Sequence, residues 1–174
     1  MELLDMMLHR RSVRQYTDEA IPEEALTMVI RAGLASESAK NTKPWELVVV
    51  QDRETLDRLA ESRAAGAAML KQAKAAIVVV ADTTKLDVWT EDCSIVMANM
   101  HLMADALGLG SCWIQGRCRQ AADGRSTSEY VKELLGIPAE YELEATLSLG
   151  MPAKHPEAHT VDELKMEKVH YEKF

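Results

Sequence analysis

The chain has 174 residues, of which 47% are apolar and 28% are charged, and its formal net charge is −8 at pH 7. This length and composition suit one globular domain, which we expect to span residues 1–174. The negative charge argues against nucleic acid as the main partner, because phosphate backbones are bound by basic surfaces. No apolar run approaches the roughly 20 residues that a membrane-spanning helix needs, so no membrane partner is expected.

The N-terminal segment and the cysteines favour a cytoplasmic protein. In residues 1–11 the charges follow the apolar part, and no small-residue cleavage site comes after them, which is unlike a secretory leader. The three cysteines (Cys93, Cys112 and Cys118) are odd in number and lack the CxxC spacing. We therefore expect reduced thiols rather than disulfides or a zinc site.

The first half of the chain combines helices with one strand. Pro22 and the two glutamates after it are typical of a helix start. Asp52 can cap a helix that follows it. The predicted order is helix 2–9, extended basic segment 10–16, helix from 21 to about 37, loop 38–44, strand 46–50 and helix 52–73.

The second half contains the most apolar elements. The apolar run 75–81 predicts a strand that is buried on both faces. The segment 90–107 is apolar on most sides in its second half, which indicates a helix in the middle of the fold. The predicted order is strand 75–81, helix 90–107, strand 111–115, helix 127–135, strand 141–149 and a tail over 160–174 with a short acidic helix. This mixture predicts an α+β or α/β domain with about four or five strands.

A basic cluster precedes the second helix and is the first candidate site. It consists of His9, Arg10, Arg11, Ser12 and Arg14. In an extended segment Arg10, Ser12 and Arg14 share one face, where guanidinium groups and a hydroxyl could bind phosphate. A solvated basic patch at a helix C-terminus is the alternative, since cations are stabilised there.

Two further segments have ligand-binding character. The polar loop 38–45 ends in Pro44 and Trp45, and such loops before a buried strand often hold ligands, although taken alone these residues favour an ordinary loop that Trp45 anchors in the core. The segment 108–116 has glycines at a helix-to-strand turn, which would let the backbone approach a flat ligand. It is not a dinucleotide fingerprint, because it follows a helix rather than opening one.

Taken in order, these motifs resemble those of the FMN-dependent nitroreductase family. The N-terminal matches are RRSVRQY at 10–16, IP at 21–22, AG at 32–33 and SAKNTKPW at 38–45. Later matches are ALGLGSCWI at 106–114, LGIP at 135–138 and LGMPA at 149–153. The ordered set spans nearly the whole chain and is similar to the compact members found in anaerobic bacteria.

The resemblance implies an α+β sandwich with a central mixed β-sheet flanked by helices. It also implies a homodimer that holds FMN in clefts between the subunits. The central helix over 90–107 would then be buried against its symmetry mate, and the C-terminal tail, about 155–174, would pack on the dimer.

The resemblance also assigns roles to individual residues. Arg10 and Ser12 would hold the FMN phosphate and ribityl end, Arg11 the ribityl chain and Arg14 the pyrimidine edge. Ser38 and Asn41 would reach the FMN of the other subunit. The isoalloxazine would be lined by Ile114, Gln115 and Gly116, with the Gly116 N–H near the flavin N5, and Lys154 would reach the phosphate.

The chain departs from the family pattern at three positions. Glu37 and Lys43 replace a proline and a glutamine on the loop that borders the flavin, so acceptor choice can differ. The family often has a Lys-x-Arg pair after the LGxPA block, whereas here Lys154 is followed by His155 and Pro156. His155 and His159 form an HxxxH pattern, but a surface tail is favoured over a metal site because no nearby acidic ligand is evident.

The predicted function is transfer of a hydride from NADH or NADPH through FMN to a nitroaromatic, a quinone or a similar small acceptor. FMN would carry the chemistry, so no catalytic side chain is predicted. The alternatives are a non-enzymatic FMN-binding redox module, a dehalogenating or flavin-cleaving enzyme of the same fold, and a domain that binds another phosphate.

Overall fold

The computed structural model describes residues 2–174 and contains four strands and five α-helices. They are α1 Leu3–His9, α2 Glu23–Leu34, β1 Trp45–Val50, α3 Arg53–Ala60, β2 Ala75–Asp82, α4 Trp89–Ala106, β3 Gly110–Gln115, α5 Thr127–Leu135 and β4 Tyr141–Gly150. Short 3-10 helices lie at Ala39–Asn41, Ala68–Lys71, Val161–Glu163 and Met166–Lys168. The strands form one sheet in the order β1-β2-β4-β3.

The centre of the sheet is formed by β2 and β4. All residues of β2 from Ala75 to Ala81 are buried, as the continuous apolar run predicts. Successive side chains point to opposite faces, so Val78 and Val80 join one core while Ile77 and Val79 join the other. The strand is apolar from Ala75 to Ala81 because both faces of the sheet are covered there.

Helices cover both faces of the sheet. Buried residues of α3 and α5 pack on one face, and buried residues of α2 and α4 pack on the other. The principal side chains are Leu56, Leu59 and Val131 on the first face and Val29, Met97 and Met100 on the second. The predicted α+β sandwich is confirmed.

Helix α4 occupies the middle of its layer, as its apolar character predicts. Seven of its residues are buried, among them Met97, Met100 and His101. It packs against α2 at Gly33, where a Cβ atom would lie 2.9 Å from Cγ and Sδ of Met100. Glycine therefore sets the close approach of these two helices.

Two predicted helices are shorter in the structure. The predicted helix over 52–73 is wrong beyond residue 60, because the chain then turns and Gly66 has a φ of 90°, which a right-handed helix cannot contain. The helix predicted to reach about residue 37 ends at Leu34. Ser36 instead folds back, with its N–H donating to the Gly33 carbonyl at 3.1 Å.

The sheet is simpler than the mixed sheet that was expected. All three pairings among the four strands are antiparallel. The parallel component is a single bridge between Ser12 and Ser111, outside the named strands. The basic segment is thus attached to the edge strand β3 without becoming a full strand.

The C-terminal tail lies on the outside of the single chain. All residues from 157 to 174 are exposed. The predicted packing of this tail on a dimer stays a prediction. Among the helices of residues 2–174, none is both long enough and apolar enough to cross a membrane.

Candidate functional site

Two segments far apart in sequence run side by side and enclose a cleft. The Ala153 N–H donates to the Gln15 carbonyl at 3.0 Å, and the His159 N–H donates to the Leu8 carbonyl at 2.9 Å. The Arg11 side chain donates to the Glu157 carbonyl. Between them lies a cavity of about 470 Å³ that is lined by residues 12–15 and 154–157. We refer to it as the inter-segment cleft.

Three of the sequence-predicted site residues meet in the inter-segment cleft. Ser12, Arg14 and Lys154 all line it. The side chains of Arg14 and Lys154 belong to exposed residues, whereas Ser12 is half-buried. A hydroxyl and two cations in a chain of net charge −8 form a local donor set that suits an anion.

The segment that carries Ser12 is fixed by contacts to β3. The Val13 N–H donates to the Ser111 carbonyl at 2.9 Å, and the Val13 side chain is fully buried. It packs on Gly110, where a Cβ atom would lie 2.7 Å from Val13 Cγ1. Glycine at position 110 is therefore required for this close approach, a packing role that the sequence alone did not reveal.

Tyr16 fixes the other end of the same segment. Its buried hydroxyl donates to the Val13 carbonyl at 2.9 Å and shares a hydrogen bond of 2.7 Å with the Ser148 hydroxyl. Burial raises the pKa of Tyr16, so the phenol keeps its proton. The Tyr16 ring occupies the space that a Cβ of Gly150 would fill, at 2.7 Å from Cγ.

Arg10 lies outside the inter-segment cleft, although it was expected on one face with Ser12 and Arg14. It lines a separate cavity of about 260 Å³ together with Met7, His101 and Trp113. Its Nη1 lies 3.0 Å from Nε2 of His101. The bend after α1 turns Arg10 toward α4, so the alternation expected of an extended segment does not hold at its first residue.

His101 is a buried neighbour of the site that the sequence analysis missed. Burial, followed by the charge of Arg10, lowers its pKa to about 4. Because arginine can only donate, Nε2 of His101 must accept, and Nδ1 then donates to the Ser111 hydroxyl at 2.5 Å. From its spacing along α4, His101 is indistinguishable from the other buried positions of that helix.

A second missed cluster joins the two segments of the cleft. Asp105, near the end of α4, lies 2.7 Å from Nδ1 of His9 and 2.9 Å from Nε2 of His155. The two imidazole rings are stacked, with centroids 4.4 Å apart. His155 therefore pairs with distant residues, while His159 contacts Glu163 instead.

The predicted isoalloxazine-lining residues lie together at the end of β3. Ile114 is buried, and the Gln115 side-chain amide donates to Oε1 of Glu144 at 3.1 Å. The Gly116 N–H, expected to face the flavin, donates to the Glu144 carbonyl at 3.0 Å. A Cβ at Gly116 would lie 2.4 Å from Leu143 Cδ2, so this residue lets β3 leave the sheet close to β4.

Glu144 itself is a buried carboxyl group that the sequence analysis did not single out. It is 5% exposed, and its Oε2 has no hydrogen-bond partner among the described residues. Burial raises its pKa, and the hydrogen bond from Gln115 partly offsets that effect. The carboxyl group lies directly beside the candidate flavin-facing residues.

Ser38 and Asn41 lie on a tight loop near the start of α4. Ser38 Oγ accepts from the Lys43 N–H at 2.9 Å, and Asn41 is exposed with a φ of 55°. The Ala39 N–H donates to Asp92, which lies 13 positions before Asp105 on α4. At 1.5 Å per residue this separates the loop from the inter-segment cleft by about 20 Å along the helix.

The chain is similar to known proteins over nearly its whole length. A model described as the nitroreductase family matches residues 7–91 and 61–151. The chain belongs to the nitroreductase family. A 35% identical protein of Archaeoglobus fulgidus, provisionally named as an NADH dehydrogenase/NAD(P)H nitroreductase, is matched over 99% of both chains.

Solved structures of family members share the fold. An FMN-dependent nitroreductase of Clostridium difficile R20291 is 38% identical, with a TM-score of 0.96 over 99% of this chain and 100% of that chain. A provisionally named nitroreductase of Desulfovibrio desulfuricans, in complex with FMN, is 28% identical, with a TM-score of 0.76 over 97% of both chains. The resemblance that the sequence motifs indicate is thus confirmed for both family and fold.

Proposed function

We propose that this nitroreductase-family protein is an NAD(P)H-dependent FMN oxidoreductase that reduces a small, electron-poor acceptor such as a nitroaromatic or a quinone. The observation that carries the proposal is the meeting of Ser12, Arg14 and Lys154 in the inter-segment cleft of a chain with this fold. The FMN-dependent family member from Clostridium difficile supports the choice of cofactor.

The donor set and size of the cleft fit a flavin phosphate. Lys154 and Ser12 provide an ammonium and a hydroxyl for a dianionic group, and Arg14 lines the same cleft as the guanidinium proposed for the pyrimidine edge. The cavity of about 470 Å³ is within the roughly 300–1,000 Å³ typical of ligand sites. Arg11 adds a guanidinium beside the cleft, where it donates to the Glu157 carbonyl, whereas Arg10 lies in the separate cavity next to His101.

The end of β3 is the proposed surface for the flavin ring. The half-buried Gln115 would contact it beside the buried Glu144, while Ile114 supports the strand from the core and Gly116 is paired with the Glu144 carbonyl. When bound, FMN would accept a hydride from the nicotinamide and pass electrons to the acceptor. Arg14 would place positive charge where negative charge develops during reduction, a fixed electrostatic contribution from this chain.

We further propose that the working form is a homodimer. Ser38 and Asn41 lie on the loop near the start of α4, too far from the inter-segment cleft of their own chain to join it. They would therefore reach a bound FMN only from a second copy. Apolar side chains on α1 and the tail are exposed in the single chain, among them Leu3, Leu4, Val161, Met166 and Phe174. A second copy covering this surface would bury it.

The test is the visible absorption spectrum of the purified protein, followed by anaerobic addition of NADH or NADPH. A yellow protein that bleaches, and recovers its colour with a nitroaromatic or quinone, is the expected result. A yellow protein that neither donor bleaches would contradict the oxidoreductase and indicate a non-enzymatic flavin module. A colourless protein that takes up no added FMN would overturn the flavin proposal altogether.

A further inference from the structure

We infer that Asp105 is a positioning residue that holds the two walls of the inter-segment cleft in register for a phosphate. The inference rests on the proposed function and extends it to a residue that does not itself line the cleft. Asp105 would act through His9, which precedes Arg10, and through His155, which follows Lys154. It therefore connects both segments of the cleft, at His9 and at His155, to the end of α4.

Asp105 contacts each of the two histidines through a different carboxylate oxygen. Oδ2 lies 2.7 Å from Nδ1 of His9, and Oδ1 lies 2.9 Å from Nε2 of His155. The Asp105 side chain is only 7% exposed, so it is shielded from water by the groups that it joins. Hydrogen bonds to a shielded carboxylate are stronger and more orienting than those of an exposed ion pair.

His155 contacts both its own segment and α4. Its Nδ1 lies 2.7 Å from the Pro156 carbonyl, and its Nε2 lies 2.9 Å from Oδ1 of Asp105. The ring is therefore held on both sides, which fixes the backbone of the segment directly after Lys154.

A metal ion explains this cluster less well, although three potential ligand atoms lie within 4.8 Å of one another. The rings are stacked with an interplanar angle of 17°, so their nitrogen lone pairs point side by side rather than toward one ion. The cluster is a set of hydrogen bonds between segments.

The inference gives a result opposite to that of simple charge repulsion. If Asp105 were only an acid near the cleft, its removal would strengthen phosphate binding, because a negative charge would be lost. If it holds the segment that carries Lys154 against the segment that carries Ser12, its removal weakens phosphate binding. The sign of the change in FMN affinity therefore separates the two roles.

The experiment compares FMN with riboflavin, which lacks the phosphate, on the full-length flavin-free protein. For Asp105→Ala we expect the Kd for FMN to rise about tenfold, equivalent to about 1.4 kcal/mol, with the Kd for riboflavin unchanged. Asp105→Asn, which retains an acceptor and gains a donor, should recover part of the loss. Asp57→Ala is the matched control, since Asp57 is an exposed aspartate paired with Arg53 on α3.

Three outcomes would overturn the inference. They are an FMN affinity of Asp105→Ala that is unchanged or higher, an equal loss of affinity for both flavins, and a wild-type protein that does not prefer FMN to riboflavin. The first two outcomes leave the proposed flavin enzyme intact, and the third also contradicts the proposed phosphate site. A wild-type protein that binds neither flavin would overturn the proposed function and the inference together. If Asp105→Ala fails to fold, Asp105→Asn and His155→Gln provide the same comparison.

Discussion

Nη1 of Arg10 lies 3.0 Å from Nε2 of His101, a buried histidine that must accept this hydrogen bond. The other ring nitrogen of His101 bonds to the Ser111 hydroxyl on β3. The orientation of Arg10 is therefore set by a neutral histidine on α4 and, through it, by the edge of the sheet. An arginine that is held in place in this way loses less conformational entropy when it meets an anion.

This relationship makes folding stability depend on pH. The pKa of His101 is lowered from 6.5 to about 4, so the unfolded chain binds more protons at this site than the folded protein does within that window. The contribution of His101 to the free energy of unfolding should therefore be fully present above pH 6.5. It should be lost as the pH decreases toward 4, by about 3 kcal/mol in all.

Urea unfolding at several pH values would measure this change. His101→Gln keeps an acceptor for Arg10 and a donor for Ser111 but does not titrate, so its stability should fall less over the same window. His159→Gln is the control, because His159 is exposed. Parallel stability curves for wild type and His101→Gln would contradict the prediction.

Local sequence patterns predicted the elements of the core but not all of their ends. The apolar run of β2 and the apolar face of α4 mark buried positions because burial on both sides leaves no room for polar residues. The stretch after Ala60 is rich in alanine and has helical composition, yet Gly66 and the packing of the following 3-10 helix end α3. Helix propensity is overridden there by tertiary structure.

The parts of the candidate site that belong to sequence motifs were predictable. The parts that depend on contacts between residues far apart in the sequence were not. Ser12, Arg14 and Lys154 were found through a family resemblance, and they do meet in one cleft. The contacts of Asp105 with His9 and His155 join residues that are 96 and 50 positions apart, so no local pattern records them. The Gly116 N–H was expected to be free, but the course of the chain after β3 pairs it with Glu144.

Removal of the cationic or hydroxyl groups from the inter-segment cleft should weaken FMN binding. Lys154→Ala should raise the Kd for FMN about tenfold, and Ser12→Ala somewhat less, because a charged hydrogen bond contributes about 1.5–3 kcal/mol and a neutral one about 1 kcal/mol. Fluorescence titration of the flavin-free protein measures both. Lys85→Ala should leave the Kd unchanged, since Lys85 pairs with Asp82 at the far end of β2. A loss of equal size in Lys85→Ala would contradict a specific phosphate site.

A methyl group at Gly110 should destabilise the fold through Val13. The new Cβ would lie 2.7 Å from Cγ1 of Val13, whose β-branched side chain is buried and cannot rotate away. Gly110→Ala should lower the free energy of unfolding by about 1–3 kcal/mol. In the double variant with Val13→Ala the two losses should sum to less than their separate values, because the second change removes the clash. If the two losses measured by urea unfolding add fully, the clash with Val13 is not the cause of the destabilisation.

Replacement of Glu144 should stabilise the protein at neutral pH. Burial raises the pKa of this carboxyl group, so the folded protein retains the proton to a higher pH than the unfolded chain does. The protonated carboxyl group therefore contributes its full stability below the ordinary pKa of glutamate. This contribution is lost as the pH rises through the raised pKa of the folded protein. Glu144→Gln keeps a neutral group at the site, and it should raise the free energy of unfolding at pH 7.5 by about 1 kcal/mol.

The pH dependence distinguishes this effect from a general improvement in packing. The advantage of Glu144→Gln over wild type should shrink as the pH falls, because wild-type Glu144 then gains its own proton and also becomes neutral. Glu142→Gln is the control, since Glu142 precedes the buried run of β4 and pairs with Lys132. A stability advantage that is constant from pH 4.5 to 8 would show that burial of the charged carboxylate is not its source. In that case the hydrogen bond from Gln115 would fully stabilise the Glu144 anion beside the proposed flavin surface.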